Sequence, residues 1–204
     1  MKKFTRPAFY LPIALATLLF THSAQAWQAE EVPEGSPVKV WTEAVEGSSF
    51  KAFKGEVEIQ ASASKILAVI QDTEKLPQWY HNTIEAKRLK DVGANQVINY
   101  TVTKAPWPVS NRDSVTQSTT EKLANGAIKI TLKGVPDAYP KQEDKIRVPR
   151  LNGFWLLQPQ DNMTKVTLQI SAEPGGEIPS WLANAMVIDM PNNTLSNLKM
   201  RVEK

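Results

Sequence analysis

The 204-residue sequence contains no cysteine. Disulfides, a thiol nucleophile and a zinc–thiolate site are all excluded by that one absence. Bacterial lipidation, which needs a cysteine next to the leader, goes with them. Histidine is nearly as scarce, with only His22 and His81. A metal site built on a histidine cluster is therefore out of reach. A lone His81 beside Tyr80 reads as a surface or satisfied residue. There is no Gly-x-Ser-x-Gly and no phosphate-cradling glycine loop, so two common enzyme signatures are missing. Acidic pairs such as Glu143-Asp144 fall in what reads as exposed loop. Neither a cofactor nor a metal is expected, although acid–base work by buried carboxylates stays open.

Long apolar runs are also lacking. The longest, residues 8–20, is interrupted by Pro12 and is too short for a comfortable membrane span. It follows Lys2, Lys3 and Arg6 and precedes Ser23-Ala24-Gln25-Ala26, an Ala-x-Ala cleavage pattern. Residues 1–26 thus read as a secretory signal peptide, leaving one domain over residues 27–204. Removing that segment leaves 21 basic and 21 acidic residues. A neutral chain gives no support for nucleic-acid binding or for strong attachment to anionic membranes. A soluble protein of a bacterial periplasm is expected, with secretion as the lesser option. The sequence sets no oligomeric state, and a monomer is the working expectation.

What remains is strongly patterned. Residues 38–41 and 50–60 alternate as half-buried strands do, with a turn at Glu46-Gly47-Ser48-Ser49. Helical spacing begins after Ala61, through Ile66, Leu67, Val69 and Ile70, with Ser62 or Ser64 as N-cap. A second short helix is expected over residues 76–81, carrying Trp79 and Tyr80. Strands follow at 86–91, 96–104, 113–123, 128–133, 145–158 and 164–171, with a hairpin turn at Asn125-Gly126. The last segment, from Pro179 to about Val202, has an apolar stripe through Trp181, Leu182, Met186 and Met190. Pro191 should kink or break it. About seven antiparallel strands and one long amphipathic helix predict an α+β fold, a curved sheet covered by that helix.

One stretch stands apart. In Ala105-Pro106-Trp107-Pro108-Val109-Ser110-Asn111-Arg112-Asp113, two prolines bracket a tryptophan. Each removes a backbone donor and holds its neighbour extended. Trp107 is expected to anchor this stiff connection by packing, and for Arg112 and Asp113 a semi-buried ion pair or capping contact is expected rather than ligand binding.

Four segments together resemble the START (steroidogenic-acute-regulatory-related lipid-transfer) domain family, in its exported bacterial branch, within the helix-grip superfamily. They are Phe50-Lys51-Ala52-Phe53-Lys54-Gly55; Asp72-Thr73-Glu74-Lys75-Leu76-Pro77-Gln78-Trp79-Tyr80; Pro108 to Asp113; and the run from Glu173-Pro174-Gly175-Gly176 to Trp181-Leu182. The resemblance covers roughly residues 38–204. It implies a helix-grip fold whose twisted sheet wraps the C-terminal helix and encloses a tunnel for a lipid or other apolar small molecule, with transient membrane contact. Residues 135–144, with Pro136, Tyr139 and Pro140, look by position like the loop that acts as lid with the helix. Some sterol-binding members carry a buried acid and a buried arginine facing the cavity. Those positions fall near Thr101 and Ser118 here. Neither carries a charge, which puts sterol-specific recognition in doubt, though a hydroxyl can bond a ligand head group.

The expected wall or rim of the tunnel is Trp79, Tyr80, Thr101, Ser118, Tyr139, Leu182, Met186 and Met190. Trp107, Arg112 and Asp113 count as a structural signature. The first functional reading is non-enzymatic binding of an apolar ligand, with transfer or sensing as its finer forms. The alternatives are a cyclase- or aromatase-like enzyme on a small hydrophobic substrate, favoured by two or more titratable groups in the pocket, and a protein-interaction module with a collapsed cavity.

Overall fold

The computed structural model describes residues 26–204, without the side chains of residues 180, 181 and 183–185. The expected signal peptide lies outside the described residues, and so does the side chain of Trp181. Ten strands form one sheet: β1 (Gln28–Glu30), β2 (Lys39–Glu43), β3 (Ala52–Ile59), β4 (Thr83–Gly93), β5 (Gln96–Thr103), β6 (Arg112–Lys122), β7 (Ile128–Gly134), β8 (Ile146–Arg147), β9 (Arg150–Gln160) and β10 (Met163–Glu173). Their order is β1-β2-β3-β10-β9-β7-β6-β5-β4, with β8 pairing β6 off that path. Every pairing is antiparallel except β6 with β8. Helix α1 (Ala63–Gln71) follows β3, and α2 (Ser180–Glu203) closes the chain. The architecture is the expected α+β helix-grip, a curved sheet holding a long C-terminal helix.

Local sequence explains the element bounds. Ser62 accepts a hydrogen bond from the Lys65 amide and caps α1. The second helix is a 3-10 turn at Thr73–Gln78, earlier and tighter than the expected residues 76–81. The strand expected at 145–158 is split into β8 and β9, because Pro149 has no amide to give the ladder. Helix α2 runs through Pro191 instead of breaking there. Pro191 and Leu195 lie against Gly55 of β3, where a Cβ would come within 2.7 Å of Leu195 Cδ1 and 2.9 Å of Pro191 Cβ. Glycine at 55 is therefore what lets the helix reach the sheet.

The main core lies between the concave face of the sheet and the two helices. Leu195, Leu198 and Val202 of α2 meet Val40, Val57, Ile59, Leu157, Val166 and Leu168 of the strands. Burying aliphatic side chains of this size contributes about 1.5–3 kcal/mol each. A second, smaller cluster sits on the other face of β5 and β6, where Tyr100, Val102 and Val115 pack under Val135 and Tyr139.

Candidate ligand-binding cavity

Strand alternation builds one wall of a cavity from polar residues. On β5 the side chains of Val97, Asn99, Thr101 and Thr103 face inward, and on β6 those of Arg112, Ser114, Thr116, Ser118 and Thr120 do. Antiparallel register sets them side by side: Thr103 opposite Arg112, Thr101 opposite Ser114, Asn99 opposite Thr116 and Val97 opposite Ser118. Residues two apart share a face, so the intervening Tyr100, Val102, Asp113 and Val115 turn the other way.

The facing wall is apolar. Ile130 and Leu132 of β7, Leu151 and Trp155 of β9, and Ile170 of β10 line it from the sheet. Met186, Val187 and Met190 line it from α2, and Leu76, Trp79 and Tyr80 from the 3-10 turn and the residues after it. Trp79, Tyr80 and Trp155 form an aromatic triangle, with centroids 5.6 Å apart for the first pair and 6.3 Å for the other two. Offset and edge contacts at such distances stabilise beyond area burial. Asn197 Nδ2 donates to the Trp79 carbonyl at 2.9 Å, and the His81 amide donates to Thr194 Oγ1 at 3.3 Å. Helix α2 thus holds the segment that carries the aromatics. The cavity has a volume of about 220 Å³.

Two buried donors lack a partner among the described residues, and both belong to residues lining this cavity: Trp79 Nε1 and Arg112 Nε. Arg112 is only 4 % exposed. Its Nη1 donates to the Ser110 carbonyl and its Nη2 to the Gly175 carbonyl at 3.3 Å. Gly175 and Gly176 turn with φ of +68° and +62°, which brings that carbonyl round. Burial pushes the Arg112 pKa down, and the same effect pushes the Tyr80 phenol well up. His81, beside the cavity, is also pushed down by burial, with Asp189 partly opposing the shift.

The START domain family model matches residues 17–197. The chain belongs to the START domain family. An uncharacterized protein of Pseudomonas aeruginosa is 42% identical over 182 residues, 89% of each chain. The crystal structure of a STAR-related lipid transfer protein from Xanthomonas axonopodis superposes with a TM-score of 0.80 at 38% identity, covering 87% of this chain and 99% of that one. Human START domain-containing protein 10 is 25% identical over 150 residues, 72% of this chain but only 52% of the human protein.

In this START domain, Trp79, Tyr80, Thr101, Ser118, Met186 and Met190 all come together on the cavity wall. Three expectations are corrected. Tyr139 is not on that wall: it packs at a tilt of 50° against Tyr100 on the outer face of the sheet, with centroids 5.0 Å apart. The loop expected to act as lid, residues 135–144, goes with it. Arg147 fastens that loop by donating to the carbonyls of Pro136, Tyr139 (2.8 Å) and Pro140 (2.9 Å). Leu182 is buried outside the cavity wall.

The proline-rich segment also behaves differently from expectation. Trp107 is 93 % exposed and anchors nothing. Pro106 and Pro108 are exposed with it. Arg112 and Asp113 find separate partners, because successive residues of β6 point to opposite faces: Arg112 donates to the Ser110 and Gly175 carbonyls. Asp113 forms an ion pair with Arg147, through Nε at 3.0 Å and Nη2 at 2.8 Å. Arg112, expected to be structural only, lies on this wall, together with Asn99, Trp155 and the hydroxyls at 103, 114, 116 and 120, which the sequence reading did not single out. Parity along the strands was the signal, since Arg112 shares its face with Ser118.

Proposed function

We propose that this START domain is a non-enzymatic carrier of a lipid or other apolar small molecule, held between the sheet and α2. The observation that carries the reading is the cavity itself, with its wall of Trp79, Trp155, Ile130, Met186 and Met190. Apolar burial there supplies affinity at roughly 25 cal/mol per Å², and methionines adapt to irregular chains. The family and the lipid-transfer description of the Xanthomonas relative support it.

The enzymatic alternative has one point in its favour: Lys51, Tyr80 and Arg112 are three titratable groups on the wall. None suits a general base: Lys51 is tied to Glu30 at 3.7 Å as an ammonium. Burial holds the Tyr80 phenol protonated, and a guanidinium keeps its proton at neutral pH. No carboxylate or imidazole lines the cavity among the described residues.

Export and transfer complete the proposal. Residues 1–26 direct the chain to the periplasm and are removed after Ala26. The exposed Pro106-Trp107-Pro108 tip makes transient contact with a membrane, since an amphipathic indole suits the interfacial zone. Native mass spectrometry of protein recovered from the periplasm tests the carrier reading. Co-purified lipid, or uptake from membrane extract, is expected. An empty protein that takes up nothing from the extract overturns it. Recovery in the cytoplasmic fraction, with a chain not starting at Trp27, overturns the export reading separately.

A further inference from the structure

The cavity has one charged end and it is short of acceptors. Arg112 begins β6, where the polar wall meets the loop bearing Trp107 and the glycine turn ahead of α2. Its guanidinium is buried, yet no carboxylate pairs with it among the described residues. Two backbone carbonyls take Nη1 and Nη2, and Nε is left over. A buried cation without a counter-ion is costly unless something supplies the missing charge. The second unpartnered donor, Trp79 Nε1, belongs to the same cavity, whereas the other cation on its lining, Lys51, already pairs with Glu30 at 3.7 Å. What Arg112 lacks is a hydrogen-bond acceptor carrying negative charge.

We propose that the ligand is an anionic single-chain amphiphile, with its oxyanion bonded to Arg112 and its chain laid along Trp79, Trp155 and Met190. This rests on the carrier reading and specifies its ligand. A planar guanidinium suits the oxygens of a carboxylate or phosphate, and charge-assisted bonds of this kind are about twice as strong as neutral ones. The Thr and Ser hydroxyls beside Arg112 in the register accept or donate as the head group requires. The volume favours one chain over two. About 220 Å³ is below the roughly 300–1,000 Å³ usual for pockets that enclose larger ligands.

Calorimetry of the purified protein with dodecanoate, dodecyl phosphate and dodecanol, each below its micelle concentration, tests this. One or both anions should bind about tenfold or more tighter than the alcohol. The tighter of the two identifies the head group as carboxylate or phosphate. In Arg112→Met the anion-to-alcohol ratio should fall to about threefold or less, and Arg112→Lys should retain part of the preference, because charge survives but the planar fork does not. Dodecanol binding as tightly as both anions to the wild-type protein overturns the inference and leaves the carrier reading standing. A preference that survives Arg112→Met in full also overturns it. Tighter binding of a two-chain phosphatidic acid than of dodecyl phosphate overturns the single-chain part. Failure of all these probes, together with failure to take up lipid from membrane extract, overturns both readings. Should Arg112→Met not fold, the wild-type ratio already decides.

Discussion

Two arginines are buried on opposite faces of the same part of the sheet, and their surroundings differ. Arg147, on the outer face, is 9 % exposed and meets the fully buried Asp113 in a two-point ion pair. Three carbonyls of the 135–144 loop take its remaining donors. Arg112, on the inner face, has two carbonyls and no carboxylate. The outer arginine is finished by the fold, whereas the inner one is left for something the cavity admits. Satisfied polar groups hold an element in place; an unsatisfied one in a cavity points to a ligand.

The comparison can be broken first at Asp113. Asp113→Ala leaves Arg147 buried and unpaired, and a loss of about 3–5 kcal/mol is expected in urea unfolding. Arg112→Met should cost less, about 1–2 kcal/mol for its two carbonyl bonds, since removing an unpaired buried charge offsets part of that loss. A larger loss from Arg112→Met than from Asp113→Ala would reverse the roles assigned to the two arginines.

Tyr139→Ala tests the outer face further. Losing the ring over Tyr100 should cost about 1–2 kcal/mol with ligand affinity unchanged, as measured by melting and calorimetry on one sample. A selective loss of binding would return Tyr139 to the cavity. His81 tests the inner side by pH. Its folded pKa lies below the unfolded value of about 6.5. The native state therefore favours the neutral ring, and its contribution is present above that value and lost as pH falls below it. A melting temperature that declines between about pH 7.5 and 5, less steeply in His81→Asn, is the expected result. The smallest effect belongs to Trp107. Trp107→Ala should change stability by no more than about 0.5 kcal/mol, because the ring packs on nothing. Its effect should show in vesicle binding.

Much of the cavity was legible before the fold was known. Placing Thr101 inward commits Asn99 and Thr103, and placing Ser118 inward commits Arg112, Ser114, Thr116 and Thr120, by strand parity alone. The same parity puts Arg112 and Asp113 on opposite faces, so each needs its own partner. What parity cannot supply is the partner across space. Arg147 lies 34 residues from Asp113, and Gly175 lies 63 from Arg112. Composition suggested a lid at residues 135–144, with prolines, an aromatic and charges. Its side of the sheet was set by Arg147, which no local pattern reveals.

Periodicity, turn chemistry and the family motifs in this chain determined its strands, its long terminal helix and the α+β helix-grip class. They act over a few residues, where backbone geometry and burial of one face suffice. Tertiary structure alone decided which arginine found a carboxylate, which aromatic entered the cavity and that Trp107 points into solvent. Those outcomes depend on contacts between segments far apart in the chain, formed only when the sheet has closed over α2 and turned its odd and even residues to opposite environments.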